Sequence, residues 1–179
     1  DVEVARDRKL YKQSFSKGKP TSALVKVGSA LNRRGTSIKF SPDPEIFGEK
    51  CKFKPAILYK MAKSKAYLFA GVEIRWKCSR ALIVEHNPSA PQRETICYPG
   101  GLADYLKDAT RGRNLMLSSG FTDNTELEGQ KFEWALTWLG PGEDSFFHSY
   151  CNTIPTPSGG THENGFRQAI TRGLRDYGE

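Results

Sequence analysis

The sequence predicts an α+β fold, because short strands follow one another in runs and only single helices interrupt them. Val72, Ile74 and Trp76 alternate with charged residues, as apolar residues do in a strand with one buried face. Residues 55–69 and 161–177 instead repeat apolar residues at helical spacing. No apolar run approaches the roughly 20 residues that a membrane helix needs, so no membrane segment is predicted.

The first part of the chain is predicted to be rich in strands. It starts with a hairpin that turns at Asp7 and Arg8, in which Val2 and Val4 alternate with polar residues. Two further strands are expected, at residues 24–27 and 36–40. The prolines at positions 42 and 44 end the second of them, because proline cannot continue a hydrogen-bonded ladder.

An acidic cluster follows these strands. Asp43, Glu45 and Glu49 carry charges that favour a turn and the start of a helix. A general acid/base pair is the alternative, and the local sequence favours it far less.

The second part of the chain combines helices and strands. A helix is predicted at residues 55–69, where Pro55 suits the first turn and Gly71 stops the helix. The Pro99-Gly100-Gly101 segment turns the chain sharply and is the best candidate for a domain boundary. The last helix is amphipathic, with its arginines off the apolar stripe of Phe166, Ala169, Ile170, Leu174 and Tyr177. The remaining predicted elements are strands at residues 72–76, 95–98, 132–138 and 146–152, a loop at 87–91 and a short helix at 102–107.

The composition limits the classes of function. The chain has 179 residues and a formal net charge of +7, which favours a polyanionic partner, although a lysine-rich soluble surface explains the charge equally well. Its four cysteines and three histidines lack the spacing of a zinc site. No metal site is therefore predicted, and the thiols are expected to be free and mostly buried. Neither a phosphate loop nor a catalytic triad is indicated by any spacing.

The most distinctive local feature is the segment SGGTHE at residues 158–163. Gly159 and Gly160 precede Thr161, whose hydroxyl can cap a helix, and His162. Backbone N–H groups at the positive end of such a helix suit an anion. A tight strand-to-helix turn, in which glycine supplies a positive φ, is the simpler interpretation, and the residues alone favour it.

Longer motifs resemble those of one protein family. The string NTIPTPSGGTHENGFR, within residues 151–179, resembles the NxIPTxxGGTHxxGFR core of the transducer domain in the B subunits of bacterial gyrase and topoisomerase IV. RRGTSIKFSPDPEIFG, YLFAGVEIRW and YPGGLADYL resemble further motifs of these proteins, in the same order, from about Val4 to Glu179. The IPT and ENGFRQ strings around the glycines favour topoisomerase IV.

The resemblance implies two domains. Residues 1–100 would be the second half of a GHKL ATPase α/β sandwich, and residues 101–179 the first half of a ribosomal-protein-like βαβ transducer domain. In this family a glutamate base, a magnesium-binding asparagine, an adenine-reading aspartate, glycine-rich lid motifs and a transducer lysine act on ATP. None of these has a matching residue here. We therefore expect no catalytic residue and no metal ligand in this chain, no activity of the fragment alone, and no tight binding of ATP or Mg²⁺ to it.

Three positions do match the family's nucleotide pocket. Arg6 resembles the arginine beside the adenine site, on which coumarin inhibitors stack. Thr36 resembles the threonine that supports the adenine-reading aspartate, and Ile38 resembles an apolar wall of the pocket. A solvated strand charge and an ordinary strand residue are the alternatives for Arg6 and Thr36.

The implied function is that of the ATPase component of a DNA topoisomerase in the cytoplasm, with no membrane association. The expected partners are DNA, the DNA-cleaving A-type subunit and a second copy of the ATPase component, which dimerises through its ATPase region. Arg167, Arg172 and Arg175 are candidates for facing the DNA duplex that passes through the enzyme, and solvated helix charges are the equal alternative. A fragment of the gyrase ATPase component and a non-enzymatic basic nucleic-acid-binding domain of related architecture are the alternative functions.

Overall fold

The computed structural model of the chain describes residues 1–49, 51–86 and 90–179, so most of the predicted loop at residues 87–91 lies outside the described residues. Helices and strands both contribute substantially, which confirms the predicted α+β class. Contacts divide the chain into two compact units, Asp1–Phe53 and Lys54–Glu179. No helix in the described part is long and apolar enough to cross a membrane.

The first unit is built on a four-stranded antiparallel sheet, with a small hairpin and one short helix beside it in sequence. Its elements are β1 (Val2–Arg6), β2 (Lys9–Gln13), β3 (Phe15–Ser16), β4 (Lys19–Pro20), β5 (Val25–Ser29), β6 (Gly35–Ile38) and α1 (Pro44–Phe47). The order in the sheet is β5-β2-β1-β6, and β3 pairs with β4. Strand β1 is therefore central and brings the first residues of the chain against β6.

The predicted hairpin at the start of the chain is confirmed. Asp7 and Arg8 have φ values of 51° and 61°, which are the left-handed conformations of a type I′ turn. The hairpin pairs Arg6 with Lys9. The predicted helix start after β6 is also confirmed, because Asp43 Oδ1 accepts a hydrogen bond from the backbone N–H of Glu45 at 3.0 Å and so caps α1.

The second unit contains four helices and three antiparallel strand pairs among its described residues. Its elements are α2 (Pro55–Leu68), β7 (Ile74–Lys77), α3 (Arg80–His86), β8 (Arg93–Ile96), α4 (Leu102–Ala109), β9 (Phe121–Leu127), β10 (Gln130–Leu136), β11 (Tyr150–Cys151), β12 (Ile154–Pro155) and α5 (Thr161–Gly178). Strand β7 pairs with β8, β9 with β10, and β11 with β12.

Two packing centres hold this unit together. Helix α2 buries Ala66 and Tyr67, which are 0% and 4% exposed. The Tyr67 ring stacks on Tyr105 of α4 with 3.9 Å between centroids. At the second centre Phe166 of α5 lies against Trp134 of β10, with 5.5 Å between ring centroids. The apolar stripe predicted for the last helix thus makes contact through its first part, whereas Tyr177 is 92% exposed.

Two expectations are wrong. The strand expected at residues 146–152 is only the pair Tyr150–Cys151, because the side chains before it contact helices instead of a partner strand: His148 contacts Tyr105, and Phe147 contacts Arg167. The thiols are free as expected but not buried. Three of them, Cys51, Cys97 and Cys151, are exposed.

Candidate functional site

The three residues assigned to a nucleotide pocket lie on one face of the first unit's sheet. Strands β1 and β6 pair Val4 with Thr36 and Val2 with Ile38. Directly paired residues project to the same face, and alternation along β1 places Arg6 on the face of Val4. The structure therefore brings Arg6, Thr36 and Ile38 together, although Arg6 is 30 or more positions from the other two in sequence.

This face is open to solvent. The Arg6 side chain is 80% exposed, and its Nε lies 3.7 Å from Asp7 Oδ2. An ion pair so exposed contributes little and leaves the guanidinium plane available for a flat ring. Ile38, which pairs with Val2 further along the same face, is 68% exposed. A cation, a hydroxyl and an apolar side chain in this arrangement suit one wall of a site for a planar heterocycle.

The second predicted site is the turn before α5. Gly159 has φ 76°, a left-handed conformation that favours glycine, and Gly160 is extended, with φ 165° and ψ 178°. Thr161 was expected to cap the helix, and this is wrong. Gly160 occupies the N-cap position, Thr161 is the first helical residue, and no side chain in the described part of the chain caps the helix. The cap position needs an extended backbone, and the glycine before Thr161 already provides it.

Polar side chains close this turn. Thr156 Oγ1 lies 3.2 Å from Nε2 of His162, so the threonine of the IPT string contacts the histidine of the GGTH string. Ser149 Oγ lies 2.6 Å from Thr156 Oγ1 and donates to Glu163 Oε2 at 3.4 Å. Ser149 was missed from sequence, and Thr156 was noted only as part of the IPT string, because a Ser and a Thr seven positions apart carry no spacing signal for a contact. The network fixes the start of α5 relative to β11 and β12.

The three candidate arginines of α5 have different surroundings. Arg167 is the most constrained, since its Nη2 lies 2.9 Å from Glu163 Oε1 and its guanidinium lies 4.4 Å from the centroid of the Phe147 ring. The Arg172 side chain is 86% exposed and lies 3.8 Å from Asp176. Arg175 is also exposed. Helix α5 thus presents arginines to solvent, and whether they face DNA stays a prediction.

An apolar groove lies between α5 and β10, with a volume of about 410 Å³. Phe132, Trp134, Phe166 and Ile170 supply its apolar walls, and the His162 ring reaches its edge. The groove brings together no set of converging charged groups from the described residues, so it resembles a packing surface more than a catalytic site.

A cluster of tyrosines was missed altogether. The hydroxyl of Tyr67 on α2 shares a hydrogen bond with the hydroxyl of Tyr150 on β11. Tyr105 Oη lies 2.6 Å from His148 Nδ1. Burial raises the pKa of Tyr67 far above its ordinary value, and the hydrogen bond with Tyr150 adds to the rise. These residues are far apart in sequence, and only the folded chain reveals the cluster.

Comparisons with known proteins agree with the fold and the motifs of this chain. The chain is similar to the B subunits of bacterial type II topoisomerases, and the family model described as DNA gyrase B matches residues 101–179. More particularly, it resembles the B subunit of DNA topoisomerase 4. It is 47% identical to that protein of Bartonella bacilliformis over 181 residues, a match that covers all of this chain and 26% of the relative. The resemblance drawn from the sequence motifs is thereby confirmed.

Solved structures agree with this fold. The 43K ATPase domain of Thermus thermophilus gyrase B, in complex with an aminocoumarin, matches with a TM-score of 0.77 and 30% identity, over 98% of this chain and 45% of that chain. The DNA gyrase B protein of Myxococcus xanthus matches in fold with a TM-score of 0.80 and 23% identity, over 98% of this chain and 49% of that chain. The chain spans about a quarter of the length of the curated relatives it matches.

Proposed function

We propose that this chain is part of the ATPase component of a type II DNA topoisomerase of the topoisomerase IV kind, which couples ATP binding and hydrolysis to DNA strand passage and decatenation. The observation that carries the proposal is the 47% identity to the B subunit of DNA topoisomerase 4 along the whole chain. A non-enzymatic nucleic-acid-binding module is not favoured, since the matching family model is described as DNA gyrase B and the Thermus thermophilus neighbour is the ATPase domain of a gyrase B.

The proposed division of labour places the end of an ATPase domain at residues 1–100 and the start of a transducer domain at residues 101–179. The family match supports the boundary, because it begins at residue 101. The Gly159–Gly160 turn and the helix that follows then belong to the transducer.

The proposed nucleotide contact is the sheet face of Arg6, Thr36 and Ile38. These residues suit the base of a nucleotide rather than its phosphates, because only one of them is charged and the flat guanidinium can stack. Bound ATP and Mg²⁺ supply the cleavable phosphate and its neutralising charge, and we assign no residue of this chain to either the metal or the phosphate. In this role Arg6 covers one edge of the base and Ile38 excludes water from its plane.

The proposed partners are DNA, an A-type subunit and a second copy of the ATPase component, in the cytoplasm. A net charge of +7 and the exposed arginines of α5 support the DNA contact. Arg172 and Arg175 are the stronger candidates, because Arg167 is held by Glu163 at 2.9 Å and by the Phe147 ring, whereas the contact of Arg172 with Asp176 is longer, at 3.8 Å, and more exposed. The ATPase region is the part through which the self-dimer would form.

The ATPase component of a gyrase is the second candidate function, because the Thermus structure at 30% identity is a gyrase. The two candidates differ in the DNA product: decatenation is expected from topoisomerase IV and negative supercoiling from gyrase.

The test uses the full-length protein that contains this chain, assembled with its A-type subunit. Linked DNA circles and relaxed plasmid are incubated with ATP, with and without Mg²⁺, and resolved on a gel. We expect ATP-dependent release of single circles without introduction of negative supercoils. Negative supercoiling would establish the gyrase alternative, and the absence of any change in DNA topology, with active reference enzymes in parallel, would overturn the proposal.

A further inference from the structure

Helix α2 is hydrogen-bonded to the hairpin that precedes the glycine turn. Lys65 Nζ donates to the carbonyl oxygen of Thr153 at 2.7 Å and to Thr153 Oγ1 at 2.6 Å. Two residues further along α2, the hydroxyl of Tyr67 contacts that of Tyr150. Both contacts span more than 80 positions in sequence, and both end on the same short hairpin of β11 and β12.

The tip of this hairpin has an unfavourable backbone. Asn152 and Thr153 have φ values of 46° and 68°. Asparagine accepts the left-handed region, but a β-branched residue there is an outlier that persists only where its surroundings hold it. The charged Lys65 ammonium bonds both oxygens of Thr153, and bonds from a charged donor are stronger than neutral ones. The helix therefore holds the strained residue in place.

Contacts among tyrosines make the attachment of α2 to the hairpin rigid. Tyr67 is 4% exposed and lies between the Tyr105 ring, stacked at 3.9 Å, and the Tyr150 ring, which it meets edge-on at 6.0 Å. Tyr105 in turn bonds His148, two residues before Tyr150. A hydroxyl so enclosed has a single partner geometry, so α2 and β11 move together or the bond breaks.

The hairpin leads directly to α5. Thr156 follows β12 at once and contacts His162, and Ser149, which precedes β11, contacts both Thr156 and Glu163. The contacts from α2 to the hairpin and from the hairpin to α5 are thus continuous. A displacement of α2 therefore reaches the start of α5 through the hairpin. The helix that receives it carries the arginines proposed to face DNA.

We propose that Lys65 and Tyr67 are positioning residues that hold the strained Asn152–Thr153 turn and through it transmit the position of α2 to α5. This inference rests on the proposed function, because it assigns these residues to the coupling of ATP use to DNA passage. The contacts of Lys65 and Tyr67 join the region proposed as ATPase to the region proposed as transducer. In this role neither residue touches nucleotide or DNA.

The test measures coupling in the full-length protein assembled with its A-type subunit. Lys65→Met removes the hydrogen bonds to Thr153, and Tyr150→Phe removes the hydrogen bond to Tyr67. We expect both variants to bind nucleotide and hydrolyse ATP at near wild-type rates, and to use about fivefold more ATP for each circle released, which is within the range that single side chains change coupling between sites. Phosphate release and decatenation are measured in the same reaction, so that their ratio is obtained directly.

The chain offers matched controls on the same helix. Tyr59→Phe removes a hydroxyl that bonds Glu94 instead of the hairpin, and Lys60→Met removes an exposed ammonium. Both should keep the wild-type ratio of ATP to released circles. A thermal unfolding curve of every variant shows whether the fold survives the change.

Each outcome has one meaning. A wild-type ratio in both Lys65→Met and Tyr150→Phe overturns the inference and leaves the proposed function intact. A proportional fall of nucleotide binding, hydrolysis and decatenation together with the melting temperature marks a purely structural role and also overturns it. Should the unmodified protein neither hydrolyse ATP nor release circles, the proposed function itself fails, and the inference fails with it.

Discussion

Replacing Gly159 by valine tests whether the turn before α5 is needed to pass DNA. Gly159 has φ 76°, and a β-branched residue held there costs about 2–3 kcal/mol of backbone strain. The native turn then becomes about 30 to 150 times less favourable relative to relaxed alternatives. Because Thr156 and His162 meet across this turn, its relaxation displaces the start of α5. The extended Gly160 carries no such strain.

The assay compares two quantities in the full-length protein assembled with its A-type partner. Decatenation on a gel should fall by at least about tenfold, since a strain of about 2–3 kcal/mol exceeds what one hydrogen bond, such as that between Thr156 and His162, contributes. Nucleotide affinity measured by calorimetry should stay within about twofold, because Arg6 and Thr36 belong to the other compact unit and, among the described residues, share no contact with those of this turn.

Gly165→Val is the matched control. A Cβ at Gly165 meets no atom within 4 Å, and valine is an acceptable helix residue, so wild-type decatenation is expected. If Gly159→Val decatenates at the wild-type rate, the turn is only a linker. If the control loses as much activity as Gly159→Val, the argument from φ is wrong. Joint loss of nucleotide binding and folding would mean that Gly159 serves the fold alone.

Three further predictions follow from other residues. Arg6→Ala should weaken coumarin binding about fivefold and ATP binding less, because a drug ring stacks on the guanidinium while the nucleotide has other contacts; calorimetry with both ligands checks this, and equal losses would remove Arg6 from the site. A protein of residues 1–179 alone should release no phosphate from ATP above background, and magnesium-dependent turnover that survives repurification would contradict the assignment. Tyr67→Phe should make the fold less sensitive to alkaline pH. Burial raises the pKa of Tyr67, so the neutral hydroxyl contributes fully to the free energy of unfolding below the ordinary pKa of 10.0, and this contribution falls as the pH rises above that value. Melting temperatures from about pH 9 to about pH 11 should fall less steeply in the variant, and parallel slopes would refute the argument.

The elements with a strong periodic or turn signal could be predicted from the sequence. Helix α2 was expected at residues 55–69 and spans Pro55–Leu68, and α5 was expected at 161–177 and spans Thr161–Gly178. Proline at the first position and the apolar repeat mark such helices clearly. The Asp7–Arg8 hairpin was found for a similar reason, since alternating residues flank a polar pair.

Other elements gave no readable signal. Strand β9, Phe121–Leu127, was missed because every one of its residues is exposed, so no apolar alternation reveals it. Helix α3 has seven residues, and the short apolar run at residues 81–84 within it suits a strand equally well. The same limit applies to the site. Motif resemblance identified Gly159 and His162, but the contacts of Lys65 with Thr153 and of Tyr67 with Tyr150 depend on residues brought together only by folding.

The exposed thiol of Cys151 gives the hairpin its own reporter position. Cys151 lies directly before Asn152 and Thr153 and is open to solvent. Cys51 and Cys97 are exposed as well, so serine can replace both at little cost in packing. A fluorophore attached to the remaining exposed cysteine would then sit beside the strained turn, where nucleotide-dependent changes in its emission would follow the hairpin in real time.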